Sequence, residues 1–248
     1  MAAATATAKS TKRARTRTTP QPKAAAMVKV HRYPTIADLL DSLGGIPARR
    51  VLLDPVPGTA TERDLVERHD RDGRLYELVD GTLVEKTMGF DESRFAALLL
   101  TYIQRFIEGR DLGAIVGADA LMRLFPGLVR MPDAAFISWE RYPKKKRRRG
   151  EIPTLAPDLV VEVLSKGNTS KEMNRKLREY FEAGVRLVWY VDPAKRVVWV
   201  YTAVDQAARL GEDQHLDGGD VLPGFSLSIR DWFAEAGRTG PKPRRRAR

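Results

Sequence analysis

The sequence predicts an α/β (α+β) fold in which the helices and strands of one chain build a single domain. Residues 158–165 form a short, almost entirely apolar run between polar ends, which is the pattern of a buried strand. Residues 92–108 repeat large apolar side chains every three to four positions, as a helix with one buried face does. Asp80-Gly81 separates two strand-like runs within 76–86 and predicts a tight hairpin. A chain of 248 residues is long enough for one large domain with a full core.

The first half of the chain carries helix and strand signals in a clear order. Thr35 and Thr61 are residue types that cap helix N-termini, and Gly44-Gly45 is a helix stop. The predicted elements are helices at 35–45 and 61–70, the hairpin at 76–86, the long helix at 92–108, and strands near 113–118, 120–125 and 128–138.

The second half alternates strand and helix. Thr169 and Glu172 have the spacing of a capping box at a helix start, and Gly184 ends that helix. Asp192-Pro193 predicts a turn between two strands. The predicted elements are strand 158–165, helix 169–183, strands 185–191 and 197–202, a polar excursion at 203–220, a short strand within 221–229 and a helical turn at 231–236.

Positive charge is concentrated in three segments that contain no Asp or Glu. The N-terminal segment 1–26, the basic run 144–149 and the C-terminal segment 238–248 each hold six Lys or Arg residues. The remaining chain, at +11 less 18, carries a net charge of −7. Such blocks often bind polyanions, and a role in solubility alone is the alternative. The predicted organisation is a disordered tail at 1–26, an extension with a short helix at 27–60, a domain at 61–236 and a disordered tail at 237–248.

Composition excludes several classes of protein. The chain has no cysteine, which excludes disulfides and thiolate metal sites and fits the reducing cytoplasm of a bacterial-type cell, including association with its nucleoid. No apolar run approaches the roughly 18 residues of a membrane span, so we expect no membrane partner. The 3 histidines are scattered and lack metal-ligand spacing.

Glu162 lies in the middle of the predicted strand 158–165, where a carboxylate costs several kcal/mol, roughly, unless a cation or hydrogen bonds compensate. Asp133 follows Pro132 near the end of another predicted strand, and a turn at this Pro-Asp pair is the alternative. Two carboxylates on adjacent buried strands repel each other unless a cation lies between them. Such oxygen ligands suit Mg²⁺ or Mn²⁺, with the backbone carbonyl of Val163 as a further ligand. The alternative for Glu162 is a buried ion pair with an Arg or Lys.

Lys176 borders the apolar stripe of the predicted helix 169–183, three residues after Met173 and four before Tyr180. A lysine at this position could reach the strand carboxylates, where it would orient an attacking water or offset transition-state charge. A surface lysine paired with Glu172, four residues earlier, is the alternative.

Five motifs occur in one order along the chain. They are Tyr76 to Gly81, Pro132-Asp133, Pro157 to Ser165, Lys176 to Tyr180, and Gly184 to Pro193. Over roughly residues 60–236 this order resembles the Uma2-type (DUF820) family of restriction-endonuclease-like proteins. The resemblance implies a PD-(D/E)xK core, which is a restriction-endonuclease-like mixed central sheet flanked by helices. It also implies a Mg²⁺-dependent phosphodiesterase site with Asp133 and Glu162 as metal ligands and Glu77 as a further catalytic acid. The alternative for Glu77 is that it closes the hairpin by pairing with a cation.

The sequence departs from the family pattern at two places. Leu164 stands two residues after the glutamate, where the motif usually has a lysine. The family supplies a lysine from the following helix instead, which points to Lys176. Glu92-Ser93 stands where many members have a histidine near the start of the long helix.

Together these residues predict a Mg²⁺-dependent endonuclease-like protein that hydrolyses phosphodiester bonds in DNA, with duplex DNA the expected partner. A homodimer is compatible with such a fold. The basic run is expected to contact phosphates near the active site, and a solvated loop or a localisation signal is the alternative. Its residues are Lys144, Lys145, Lys146, Arg147, Arg148 and Arg149. The alternative function is a catalytically inactive nucleic-acid-binding module that retains the nuclease fold.

Overall fold

The structure is a computed structural model that describes residues 31–144 and 150–240. The predicted tail at 1–26, most of the C-terminal segment and residues 145–149 of the basic run lie outside the described residues. The helices are α1 Ile36–Ser42, α2 Glu62–Asp72, α3 Phe90–Ile107, α4 Ser170–Glu182 and α5 Ile229–Ala236, with a 3₁₀ turn at Ala48–Arg50. The strands are β1 Tyr76–Val79, β2 Thr82–Glu85, β3 Gly113–Gly117, β4 Met122–Phe125, β5 Leu128–Arg130, β6 Ala134–Ser138, β7 Leu159–Val163, β8 Leu187–Asp192, β9 Val197–Ala203, β10 Gln206–Leu210, β11 His215–Asp217 and β12 Ser226–Ser228.

The central sheet has six strands in the order β10-β9-β8-β7-β6-β3. Strands β7 and β8 are parallel and are connected through α4, whereas the other neighbours are antiparallel. The sheet is therefore mixed and flanked by helices, as the sequence predicts. One of its faces packs against α3 and α5, and the other packs against α1 and α4.

A second sheet has the strand order β2-β1-β5-β4 and is entirely antiparallel. Its hairpin turns at Asp80 and Gly81, with φ of 49° and 70°, which is the left-handed conformation that the Asp-Gly pair predicts. Val79 and Val84 from this sheet share a core with Met173 and Leu177 of α4. The two sheets thus meet on the α4 side of the molecule.

The alternation of side chains along β7 separates two cores. Val160 contributes to the core under α4, while Leu159 and Val161 contribute to the core under α3. Because successive residues of a strand point to opposite faces, Glu162 lies on the same face as Val160. This register places the carboxylate on the side where the two sheets meet.

The structure corrects three of the predicted elements. The predicted strand 128–138 divides at Met131–Asp133 into β5 and β6, which belong to different sheets. The predicted polar excursion 203–220 contains β10 and β11, because exposed edge strands lack the apolar pattern of buried ones. The predicted helical turn at 231–236 is the longer helix α5. The short strand expected within 221–229 is present as β12.

The start of α4 also differs from the expected capping box. The Thr169 side chain accepts a hydrogen bond from the backbone N–H of Glu172, as predicted. The Glu172 carboxylate does not complete the box, since it pairs with Arg50 at 2.8 and 2.9 Å. This pair joins the segment before the domain to α4.

Residues 31–60 pack against the rest of the fold. Leu39, Leu43 and Ile46 share a core with α4, and Gly58 approaches the hairpin through a 2.8 Å bond from its N–H to the carbonyl of Gly81. Among the described residues, no helix has both the length and the apolar character to cross a membrane.

Candidate active site

Asp133 and Glu162 stand side by side on adjacent strands of the central sheet. The backbone N–H of Asp133 donates to the carbonyl of Val161 at 3.0 Å, which extends the β6–β7 ladder by one residue. In this register Asp133 lies opposite Glu162, and both side chains are about 95% buried. Pro132 ends β5 and starts the crossing into β6, where its missing backbone donor is tolerated.

Helix α4 delivers Lys176 to this pair. The Lys176 Nζ lies 3.1 Å from Glu162 Oε1 and 3.1 Å from Glu77 Oε1, and the residue is 2% exposed. One turn later the Tyr180 hydroxyl donates to the same Oε1 of Glu162. The alternative prediction of a surface pair between Lys176 and Glu172 is therefore wrong. The buried ion pair of Glu162 with a lysine, which was the alternative for Glu162, is present.

The second sheet contributes Glu77, whose carboxylate is completely buried. Its Oε2 accepts from Arg130 at 2.7 Å, and its Oε1 accepts from the backbone N–H of Met131 at 3.1 Å and from Lys176. Arg130 also bonds to Glu179 of α4 through Nε at 2.8 Å. Both oxygens of Glu77 are thus committed to protein donors, and the residue holds the two sheets and α4 together.

Lys86 is a member of the site that the sequence analysis did not identify. It follows β2, is 9% exposed, and places its Nζ 2.7 Å from Asp133 Oδ1. The same ammonium donates to the carbonyl of Met131. The other oxygen of Asp133, Oδ2, accepts the backbone N–H of Val163 at 2.6 Å.

Burial and neighbouring charges shift the pKa values of Glu77, Glu162 and Lys176 in different directions. Burial alone would raise the pKa of Glu77, but the cations Lys176 and Arg130 outweigh it and hold the pKa well below its ordinary value. Burial raises the pKa of Glu162, and Asp133 adds to the rise while Lys176 opposes it. Burial would lower the pKa of Lys176, but Glu162 and Glu77 outweigh it and raise that pKa. Lys176 is therefore a charged ammonium at neutral pH.

The donor set fits a magnesium ion held by two carboxylates. Among the residues that the structure describes, no group of three or more His, Cys, Asp or Glu side chains is arranged to hold a metal ion. Mg²⁺ keeps several waters and uses only one or two carboxylates together with substrate phosphate oxygens. Lys176 and Tyr180 both bind Oε1 of Glu162, and no hydrogen bond from the described residues reaches its Oε2. Glu162 Oε2 is thus the oxygen open to such an ion, while both oxygens of Asp133 already accept from Lys86 and from the Val163 N–H.

The basic run follows β6 in the connection between the two strands of the site. Lys144 is exposed, and the other five residues of the run lie outside the described part of the chain.

The aromatic residues of β8 and β9 divide into two groups. Trp189 and Tyr190 are buried in the central sheet, while Trp199 and Tyr201 are only partly buried and line a cleft of about 630 Å³.

The sequence contained a signal for Lys86, although not for its partner. Lys86 comes two residues after Val84, so strand alternation continues the buried face of β2 to this position. Arg130 has the same kind of signal, since it comes two residues after the core residue Leu128. Tyr180 was assigned only to the apolar stripe, and sequence gives no sign that its hydroxyl reaches Glu162.

Comparisons with known proteins identify the family of this chain and a similar fold. The model of the Uma2 family, described as "Putative restriction endonuclease", matches residues 63–230. The fold is similar to that in the crystal structure of "a putative nuclease belonging to DUF820" from Anabaena variabilis ATCC 29413, with a TM-score of 0.58 and 21% sequence identity. The match covers 66% of this chain and 92% of that chain. A search of curated proteins found no match.

Proposed function

Because this chain belongs to the Uma2 family, described as "Putative restriction endonuclease", we propose that it is a metal-dependent nuclease that hydrolyses phosphodiester bonds in DNA. The observation that carries the proposal is the position of Lys176, whose Nζ lies 3.1 Å from Glu162 Oε1 beside Asp133. An acidic pair on adjacent strands with an ammonium at its edge is a suitable arrangement for phosphoryl transfer, where charge develops on oxygen.

Asp133, Glu162 and the backbone carbonyl of Val163 are the groups that would hold Mg²⁺ or Mn²⁺. When bound, such an ion supplies Lewis acidity and a water of lowered pKa. The protein's part is to fix the ligand oxygens, and Val163 already does so by donating its N–H to Asp133 at 2.6 Å. Tyr180 fixes Glu162 in the same way through its hydroxyl.

Lys176 acts as a fixed positive charge in this proposal. Its raised pKa keeps the ammonium protonated, so it cannot take a proton from the attacking water. It can stabilise negative charge on a phosphate oxygen or hold that water through a hydrogen bond. Glu77 is a positioning residue, because its oxygens already bind Lys176, Arg130 and the Met131 N–H.

A cleft of about 630 Å³ lies next to the site, and the substrate would approach the pair from this side. Leu164 in its wall follows Glu162 by two residues, and Tyr190 in its wall is the register partner of Glu162 on β8. The basic run supplies the cations that the acidic domain lacks, and these would bind phosphates without reading bases.

A plasmid assay tests the proposal. Supercoiled DNA is incubated with the protein and Mg²⁺ or Mn²⁺, beside Glu162→Gln and beside Glu182→Gln, a matched change at an exposed position of the same helix that carries Lys176. We expect nicking that needs the metal, is lost in Glu162→Gln and is retained in Glu182→Gln. Equal nicking by wild type and Glu162→Gln would refute the assignment of Glu162.

The second candidate function is a nucleic-acid-binding module without catalysis. It is favoured by the pairing of Lys86 with Asp133 and of Lys176 with Glu162, since each carboxylate already has a protein cation. The same experiment separates the two candidates. DNA binding without nicking at any metal concentration would support the module.

A further inference from the structure

A backbone hydrogen bond, in addition to the charge of its side chain, fixes the position of Lys86 in the site. Its backbone N–H donates to the carbonyl of Leu75 at 2.8 Å, which continues the pairing between β1 and β2 beyond their ends. The side chain points to the same face as Val84 and reaches across to the other sheet, where the ammonium meets Asp133 and the Met131 carbonyl. The family assignment does not mention this residue, and the proposed nuclease mechanism gives it no role.

The position of this ammonium conflicts with a bound divalent cation. Lys86 Nζ is 2.7 Å from Asp133 Oδ1, while Oδ2 of the same carboxylate accepts the Val163 N–H at 2.6 Å. A metal ion that bound Oδ1 would have to take the place of the ammonium or lie in direct contact with it. An ammonium and a divalent cation in contact at a buried site repel each other strongly, because little water lies there to screen their charges.

Lys176 does not create the same conflict. It binds Oε1 of Glu162 and shares its charge with Glu77, and among the described residues no donor reaches Oε2 of Glu162. A metal ion can therefore use Glu162 while Lys176 stays in place. It cannot use Asp133 Oδ1 while Lys86 stays in place.

We propose that Lys86 is an internal counter-ion of Asp133 that competes with the divalent cation and thereby sets the metal affinity of the site. The inference rests on the proposed function, because it concerns the same metal site. Without metal, Lys86 neutralises Asp133 and stabilises the fold. With metal, the flexible lysine side chain turns away and the ion neutralises both carboxylates.

The test measures metal binding without DNA or catalysis. The melting temperatures of wild type, Lys86→Met and Lys171→Met are followed while MgCl₂, MnCl₂ or CaCl₂ is added. Lys171 is the matched control, because it lies on the surface of α4 and pairs there with Asp41. For Lys86→Met we expect the metal concentration that gives half of the thermal shift to fall on the order of 10-fold or more, since one competing charge has been removed. Adding Glu162→Gln to this variant should abolish the shift.

The other outcomes each overturn the inference in a recognisable way. Equal midpoints in wild type and Lys86→Met would show that Lys86 does not compete, and would leave the metal site of the proposed function standing. A higher midpoint in Lys86→Met would show that Lys86 assists metal binding. No metal-dependent shift in either protein would refute the inference together with the metal dependence of the proposed function. If Lys86→Met does not melt cooperatively, Lys86→Gln, which can still donate to the Met131 carbonyl, gives the same midpoint comparison.

Discussion

Lys176 and Glu162 form a buried ion pair with 3.1 Å between Nζ and Oε1, and this pair joins α4 to the strand β7. The contact arises because Lys176 lies on the buried face of α4, between Met173 and Tyr180. Leu164 occupies the strand position where a motif lysine would otherwise stand. An ammonium from the next helix therefore reaches the carboxylate that the strand itself leaves without a cation.

Replacing Lys176 with Met should lower nuclease activity much more than replacing Lys171 with Met. The first change removes a buried ammonium beside Glu162, and the second removes an exposed one on the same helix. Loss of a fixed electrostatic group of this kind costs about 10²- to 10³-fold in rate. Single-turnover plasmid cleavage at saturating Mg²⁺ measures the difference. If both variants cleave at the wild-type rate, Lys176 has only a structural role.

The candidate site was predictable to the extent that its residues break a local pattern. Glu162 interrupts an apolar strand, and Lys176 borders an apolar helix stripe, so each is visible in the sequence alone. Lys86 and Arg130 come at strand ends, where charged residues are common, so strand alternation was only a weak signal for their burial. Their partners are far away in the sequence, since Lys86 and Asp133 are 47 positions apart, and pairings of this kind follow from the tertiary fold.

The prediction of the fold was accurate where the hydrophobic periodicity of the sequence is strong. It was incomplete where strands are exposed or divided between two sheets. The buried strand β7 and the helices α3 and α4 follow the expected patterns closely. The run 128–138 reads as one continuous strand because both of its halves are buried. Only the tertiary arrangement shows that Pro132 marks the passage from one sheet to the other.

Gly44→Ala should destabilise the protein more than Gly45→Ala, although the two glycines are adjacent. Both have positive φ, at 90° and 67°, so each alanine carries the strain of the left-handed conformation. A Cβ added at Gly44 would lie 2.6 Å from the backbone Cα and N of Glu172. A Cβ added at Gly45 would have no atom within 4 Å among the described residues. We expect a cost of about 1–2 kcal/mol for Gly45→Ala and about 2–5 kcal/mol for Gly44→Ala. Urea unfolding measures both, and equal costs would argue against the close packing of α1 on α4.

The pair of Arg50 and Glu172 should contribute strongly to the attachment of residues 31–60. Its two side chains are 3% and 4% exposed, and Arg50 also donates through Nε to the carbonyl of Glu85 at 2.9 Å. Arg50→Met leaves a buried carboxylate without its partner, which costs about 3–5 kcal/mol. The control is Arg63→Met, which breaks the exposed pair with Glu67 and should cost less than about 1 kcal/mol. Chemical unfolding of both variants gives the comparison, and similar costs would contradict it.

Neutralising the basic run should reduce both DNA affinity and its dependence on salt. Each phosphate contact contributes about 0.9 to the slope of log affinity against log salt concentration on duplex DNA. Changing all six residues of the run to Gln should therefore lower this slope by up to about 5 units. Fluorescence anisotropy with a short duplex at several salt concentrations measures the slope. The control is a variant in which the basic residues of the C-terminal segment are changed to Gln. An unchanged slope in the variant that lacks the charges of the basic run would rule out phosphate contacts by that run.

Glu77→Gln should destabilise the protein in a manner that depends on pH. Lys176 and Arg130 hold the pKa of Glu77 below its ordinary value of 4.5 despite complete burial. A carboxyl group whose pKa is lower in the folded state stabilises the protein above its unfolded pKa and loses this contribution as the pH falls. At pH 7 we therefore expect Glu77→Gln to cost about 3–5 kcal/mol, because two buried cations lose their partner. Between about pH 5 and pH 3 the difference between wild type and variant should shrink, because the unfolded wild-type chain takes up a proton on Glu77 that the folded protein, with its lowered pKa, does not. Urea unfolding of both proteins across this range measures the effect, and a difference that stays constant with pH would mean that Glu77 is not held by these cations.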